Sequence, residues 1–167
     1  HDIAEMSSDF LGDFPNMEMN TVPHITLVEF IEKAIIETGA THVYTHHPFD
    51  LNDDHKQVSN ACQAAVRLFQ RRHDVVPLKG FYYVEIPSST DWSFNTGSSA
   101  FTPTGFFEIG EEGVKRKIQA LSAYKDIMRD FPHPRSEEVL YGLAALRGAQ
   151  SGLKYAEAVQ VVFEKLK

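Results

Sequence analysis

Between Ile25 and Ile86 the apolar residues alternate between helical and strand spacing, and that alternation narrows the folds open to this chain more than any other feature. Ile25, Val28, Phe30, Ile31, Ala34 and Ile35 recur at helical spacing until Gly39 stops the run. Thr41-His42-Val43-Tyr44 is short, β-branched and aromatic, as a strand is. Val58, Ala61, Cys62, Ala65, Val66 and Phe69 then line one face of a second helix, from Lys56 to Phe69, and Lys79 to Ile86 makes the second strand. Elements in this order predict an α/β chain with a mainly parallel sheet covered by helices.

The flanks carry weaker signals. His1 to Leu11 reads as the tail of a helix, and Gly12 to Asn16 as a loop. Thr21 is placed to N-cap the helix that follows, with Pro23 near its first turn, where a missing donor costs nothing. Beyond the second strand, Pro87 to Trp92 is a polar loop, Asn95 to Pro103 a surface excursion rich in Gly, Ser and Thr, and Phe106 to Ile109 a short strand. Val114, Ile118, Leu121 and Tyr124 mark the buried stripe of a helix that opens at Glu111 and is broken by Phe131-Pro132-His133-Pro134. Ser136 caps a helix running through Leu140, Leu143, Ala144 and Leu146, and Tyr155 to Leu166 is expected to form a last helix.

With 167 residues the chain has room for a single domain. A net charge of −7, with no basic run beyond Arg71-Arg72 and Lys115-Arg116-Lys117, argues against nucleic acid as the main partner, because phosphate contacts need clustered Lys and Arg. No apolar run approaches the ~20 residues of a membrane span. A single cysteine, Cys62, excludes an internal disulfide and fits a reducing, cytoplasmic setting.

The chemistry is concentrated in Thr45-His46-His47-Pro48-Phe49-Asp50-Leu51-Asn52-Asp53-Asp54-His55, which packs three histidines and three aspartates into eleven residues. This run leaves a strand and enters a helix, where α/β proteins usually place their active sites. A catalytic zinc site takes about three protein ligands and an open position for water. His55 and Asp54 stand at the first turn of the helix, whose N-terminus favours carboxylates, with Asp50, His46 and His47 a few residues away. A cation held there would lower the pKa of its water for attack on a carbonyl, a neighbouring carboxylate taking the proton. The alternative is that these are capping and surface residues of an ordinary strand-loop-helix joint.

The stretch from Thr45 to His55 resembles the second motif of the LmbE-like, or PIG-L, family of zinc-dependent de-N-acetylases, written T-H-x-P-x-D-x-N-x-D-H. Gly12-Asp13-Phe14-Pro15-Asn16 with Asn20-Thr21-Val22-Pro23-His24 resembles that family's segment before the preceding helix. Glu85 with Ser88-Ser89-Thr90-Asp91-Trp92 resembles its strand-exit loop, and Arg147-Gly148, Gly152 and Tyr155-Ala156-Glu157 its C-terminal signature. The resemblance implies a Rossmann-like, three-layer fold and a hydrolase that removes the acetyl group from an N-acetylated amino sugar or sugar conjugate, with zinc or iron(II) as its metal. His55 falls on the position of the third metal ligand. Asn52 falls where several members carry a histidine that stabilises the tetrahedral intermediate; Asn donates a hydrogen bond there but delivers no proton. Asp54 is expected to orient an adjacent histidine. His46, His47, Asp50, Ser89, Trp92 and Arg147 are the candidate substrate contacts. Trp92 either stacks on a sugar ring or anchors the core, and Arg147 either touches substrate or pairs with Glu157.

The family's first motif, His-Pro-Asp-Asp-Glu, supplies two metal ligands and the general base, and it does not occur in these residues. Aligned on the later landmarks, the chain begins after the family's first strand, first helix and following strand. The expectation is therefore the C-terminal portion of a deacetylase, inactive alone, whose uncovered sheet edge favours self-association into a homo-oligomer. The alternative is a non-catalytic remnant that binds a glycan or serves as an assembly module.

Overall fold

The structure is a computed structural model that describes residues 9–166. The chain divides into two compact units, one built from residues 10–102 with the stretch from 160 onward, the other chiefly from residues 103–159.

In the larger unit α1 (His24–Thr38), β1 (His42–His46), α2 (Asp53–Ala65), the single turn α3 (Leu68–Arg71) and β2 (Gly80–Val84) follow the alternation expected from the sequence. β1 and β2 pair in parallel, with Val43 opposite Phe81 and His46 opposite Val84. Helix α2 packs on β1, and α1 packs on α2. Leu27, Val28 and Ile35 of α1 meet Ala61 and Ala65 of α2 in one apolar cluster, while Cys62 and Val66 meet Phe81 and Tyr83 in another. Val43 packs against both clusters. Taking a side chain such as Leu27 or Phe81 out of water stabilises by about 1.5–3 kcal/mol, so the position of α2 is set by packing more than by propensity.

Gly39 ends α1 in the left-handed region, at φ 62, which is why the helical spacing stops there. Thr21 does not cap α1. Pro23 occupies the N-cap position, and Thr21 instead closes a 3-10 turn, Met19–Thr21, donating its hydroxyl to the Glu18 carbonyl at 2.8 Å.

The smaller unit contains β3 (Gly105–Glu108), α4 (Gly110–Ser122) and α5 (Glu137–Ser151), with α4 on α5 and α5 on β3. Ser136 caps α5 as expected, its Oγ accepting from the Val139 amide at 3.3 Å. Of the stripe expected on α4 only Val114 is fully buried; Ile118 and Leu121 are half-buried, and Tyr124 lies beyond the helix end, exposed.

The last segment departs from the sequence reading. Ala156–Glu164 is a strand, β4, where a helix was expected from Tyr155 to Leu166. Its first residues pair antiparallel with β3, Ala156 opposite Glu108 and Val159 opposite Gly105. The stretch from Gln160 belongs to the larger unit, where the Lys165 amide donates to the Lys79 carbonyl at 2.8 Å. The strand order is β1-β2-β4-β3, so the sheet is mixed: parallel between β1 and β2, as expected, and antiparallel between β4 and β3. Ladder pairing and the β-branched run Val159, Val161 and Val162 outweigh the helix propensity of Ala156, Glu157 and Ala158.

The helical tail expected over His1 to Leu11 lies mostly outside the described residues, and residues 9–11 are not helical. Among the described residues no helix is long and apolar enough to cross a membrane.

Candidate functional site

β1 delivers His46 as its last residue, a short loop follows, and α2 begins at Asp53. Asn52 is the N-cap of α2: its Oδ1 accepts from the Asp54 amide at 2.9 Å, which leaves the side-chain NH2 as its free donor end. His55 stands in the first turn, with Nδ1 3.2 Å from Asp50 Oδ2. Asp50 is 1% exposed and also accepts from Thr90 Oγ1 at 3.2 Å and from the Asn52 amide at 3.4 Å. Burial pushes the Asp50 carboxyl upward, but hydrogen bonds from His55 and Ser89, the His55 charge and the Asn52 amide outweigh it and hold the group below its usual range. A carboxylate on Nδ1 keeps the proton on that nitrogen and leaves the Nε2 lone pair of His55 to a ligand.

The His46 ring lies almost flat on that of His55, with centroids 3.9 Å apart and a 13° tilt. Its Nδ1 is buried without a hydrogen-bond partner among the described residues. Burial first, then the neighbouring His55, push the His46 pKa down to about 4 against the opposing pull of Asp50. Near neutral pH His46 is therefore uncharged. Ser89 Oγ lies 3.4 Å from the same His55 nitrogen that Asp50 engages. A Ser-His-Asp relay needs the serine and the carboxylate on opposite nitrogens, so these three side chains do not form one.

His47 is 2% exposed and works as a core residue. Tyr83 and Phe101 meet its ring edge-on at 5.7 and 5.8 Å, and the Phe49 amide donates to its Nδ1 at 3.3 Å. Burial pushes its pKa down, opposed by Asp50 and by a hydrogen bond to Gln160.

Among the described residues Asp54 does not reach a histidine. Its carboxylate accepts from the amides of Met17 at 2.6 Å and Met19 at 3.0 Å, tying the start of α2 to the 3-10 turn before α1. Consecutive residues on a helix point about 100° apart, so Asp54 and His55 leave α2 in different directions. The carboxylate that orients a histidine is Asp50.

Ser89 is buried, and Trp92 sits on the 3-10 turn Asp91–Ser93 just beyond it. This loop is stitched to the one before α2: the Leu51 amide donates to the Ser89 carbonyl at 3.2 Å, and Asn95 Nδ2 donates to the Phe49 carbonyl. Thr90 and Asn95 were not among the candidate site residues; the sequence carries Thr90 only within the polar run Ser88-Ser89-Thr90-Asp91 and Asn95 only as the start of the Gly-, Ser- and Thr-rich excursion. Arg147 lies on α5 in the smaller unit and donates to Gln150 Oε1 at 2.9 Å, while Glu157 accepts from Lys117 at 2.7 Å. The fold thus gathers His46, Asp50, Asn52, His55 and Ser89 at one strand-helix joint.

A catalytic zinc or iron centre takes about three protein ligands. Among the described residues no group of three or more His, Cys, Asp and Glu side chains converges in that way. Asp50 is committed to His55 and Asp54 to two backbone amides. One oriented imidazole remains, and these residues alone do not fit a catalytic metal centre.

No protein-family model matches the sequence, and no curated protein matches it. Solved structures share its fold. The conserved protein TT1542 of Thermus thermophilus superposes with a TM-score of 0.64 at 20% identity, over 92% of this chain and 65% of its own. GalB, the 4-carboxy-2-hydroxymuconate hydratase of Pseudomonas putida KT2440, gives 0.63 at 18% identity, over 93% of this chain and 64% of its own. The N,N'-diacetylchitobiose deacetylase of Pyrococcus horikoshii gives 0.61 at 13% identity, over 85% of this chain and 53% of its own. The chain spans less than two thirds of the length of each of the three. At these identities the likeness is one of fold, and the fold is α/β of the LmbE-like type.

Proposed function

We propose that this chain is part of a metal-dependent amide hydrolase that removes the acetyl group from an N-acetylated amino sugar or sugar conjugate. The observation that carries it is the Asp50–His55 pair, a buried carboxylate fixing an imidazole at the start of a helix with Nε2 left to ligate zinc or iron(II). That one structure of the same fold is a diacetylchitobiose deacetylase supports the choice of substrate. On this reading the two companion ligands and the general base are not among the described residues, and the chain spans less than two thirds of the length of each structure compared. The visible chain alone has little or no activity.

The roles left to these residues are binding and orientation. Asp50 holds His55, and Asn52 offers its NH2 to the acetamide oxygen, since its own oxygen is occupied by the Asp54 amide. His46, uncharged against the face of His55, puts no positive charge where a cation would sit. Ser89 and Trp92 face the substrate from the neighbouring loop.

Acetate release by a protein extended N-terminally into its coding sequence and loaded with zinc tests this. His55→Ala is expected to lower release by about a hundredfold or more. A zinc-loaded extended protein that frees no acetate from any N-acetylated amino sugar overturns the proposal. The lack of a three-ligand group among the described residues favours a second reading, a non-catalytic module that binds a glycan or a partner. Calorimetry with zinc on the extended protein separates the two, because one tight site per chain belongs only to the hydrolase.

A further inference from the structure

Two regular elements bring the His46 and His55 rings face to face. His46 closes β1, where the register with β2 sets it opposite Val84, and His55 stands in the first turn of α2, a helix capped by Asn52 and packed on β1. The ring centroids lie 3.9 Å apart and the planes are tilted by 13°. Hydrogen bonding by itself leaves the His55 ring underdetermined. Asp50 Oδ2 at 3.2 Å and Ser89 Oγ at 3.4 Å both stand within reach of Nδ1, and neither contact is short. Each restrains one atom of the ring, and a turn from one oxygen toward the other swings Nε2 on the far side. His46 adds no hydrogen bond through its own Nδ1, which is buried without a partner among the described residues. A hydrogen-bonding role would give that buried nitrogen a partner; the contact the ring does make is the flat one with His55.

We infer that the flat face of His46 sets the plane of the His55 ring, which makes His46 a positioning residue for the site. Asp50 fixes which nitrogen of His55 carries the proton, and the stacked ring fixes where the opposite nitrogen points. Such precision matters, because a displacement of about 1 Å at a working group costs on the order of a hundredfold in rate. What counts at this position is then a flat side chain and not an ionisable one. Phenylalanine can replace His46, whereas leucine, of comparable bulk but without a flat face, cannot. That the orientation serves amide hydrolysis rests on the reading above, but the orientation itself requires neither metal nor turnover.

NMR relaxation of isotope-labelled histidine rings reads this in the chain as it stands. The His55 ring is expected to be as ordered in His46→Phe as in the parent, and its order parameter to fall by about a third in His46→Leu. Both variants lose the same imidazole, so an equal loss of order in the two belongs to the missing nitrogen and overturns the inference. So does a His55 ring as ordered in His46→Leu as in the parent, because Asp50 then suffices alone. His46→Phe decides even where His46→Leu fails to fold: an ordered His55 ring beside phenylalanine upholds the role of the flat face, and a mobile one contradicts it. In the extended protein loaded with zinc, His46→Leu is expected to lower kcat about ten- to a hundredfold with KM unchanged, and His46→Phe to retain it. A parent that frees no acetate removes the hydrolase reading and leaves the ring measurement to decide the role of His46.

Discussion

His55 takes its carboxylate partner from Asp50, five residues back along the chain at 3.2 Å, while Asp54, its immediate neighbour, holds the amides of Met17 and Met19. Two aspartates within one short motif therefore divide the work. One orients an imidazole and the other anchors a helix start.

Replacing Asp50 with Ala leaves His55 Nδ1, Thr90 Oγ1 and the Asn52 amide without their shared acceptor in a place closed to water. Removing one partner from such a buried set is expected to cost about 3–5 kcal/mol, and Asp50→Asn, which keeps an acceptor oxygen, about half of that. Urea denaturation measures both. An Asp50→Ala variant as stable as the parent would remove Asp50 from this role.

Acid should weaken the fold in two stages. The folded His46 titrates at about 4 against 6.5 for the free side chain, so on acidification the unfolded form takes up its proton first. The stability contributed by neutral His46 is complete above about pH 6.5 and is lost between there and about pH 4, on the order of 3 kcal/mol. His47, shifted in the same direction, adds to this stage. Asp50, held below its usual range, contributes stability that is lost only at lower pH, as its carboxylate is protonated. Urea midpoints measured from about pH 7 down to about pH 4 should flatten in His46→Gln. Parallel curves for parent and variant would assign the first stage to another group.

Asp54→Ala frees two amides that now donate to a carboxylate, at an expected cost of about 1–3 kcal/mol. Hydrogen exchange at Met17 and Met19 should accelerate while that in the middle of α1 is unchanged. Equal exchange at both amides in parent and variant would show that another contact holds the turn.

Two glycines of α5 should respond with opposite sign. A Cβ on Gly148 would stand 2.6 Å from the Leu153 carbonyl oxygen and 2.7 Å from that of Lys154, both backbone atoms, whereas one on Gly142 meets nothing within 4 Å. Gly148→Ala is expected to destabilise by about 2 kcal/mol or more, and Gly142→Ala to stabilise by about 0.5–1 kcal/mol. Thermal melts of the two variants check this, and a shift of the same sign in both would contradict the close approach at Gly148.

The correct and incorrect expectations differ in how far apart the deciding residues lie. Gly39 and Ser136 behave as read, because a left-handed stop and an N-cap are made by residues a few positions away. Ala156 to Glu164 was misread because its Ala and Glu residues favour a helix in isolation, while the strand takes its neighbours β2 and β3 from much earlier in the chain. His46 and His47 are adjacent and chemically equal in the sequence. His46, the last residue of β1, stacks on His55, whereas His47, the first residue of the loop, meets Tyr83 and Phe101 edge-on.

By itself the sequence determined the α/β alternation from residue 25 to residue 86 and the placing of a polar, histidine-rich joint between a strand and a helix, because apolar period and turn chemistry act over a few residues. Only the tertiary structure decided which aspartate holds His55, which histidine is sealed in the core, and that the chain ends in a strand. Each of these depends on partners such as Met17, Thr90, Phe101 and β2 that lie tens of residues away along the chain, and no local rule encodes which of them arrives.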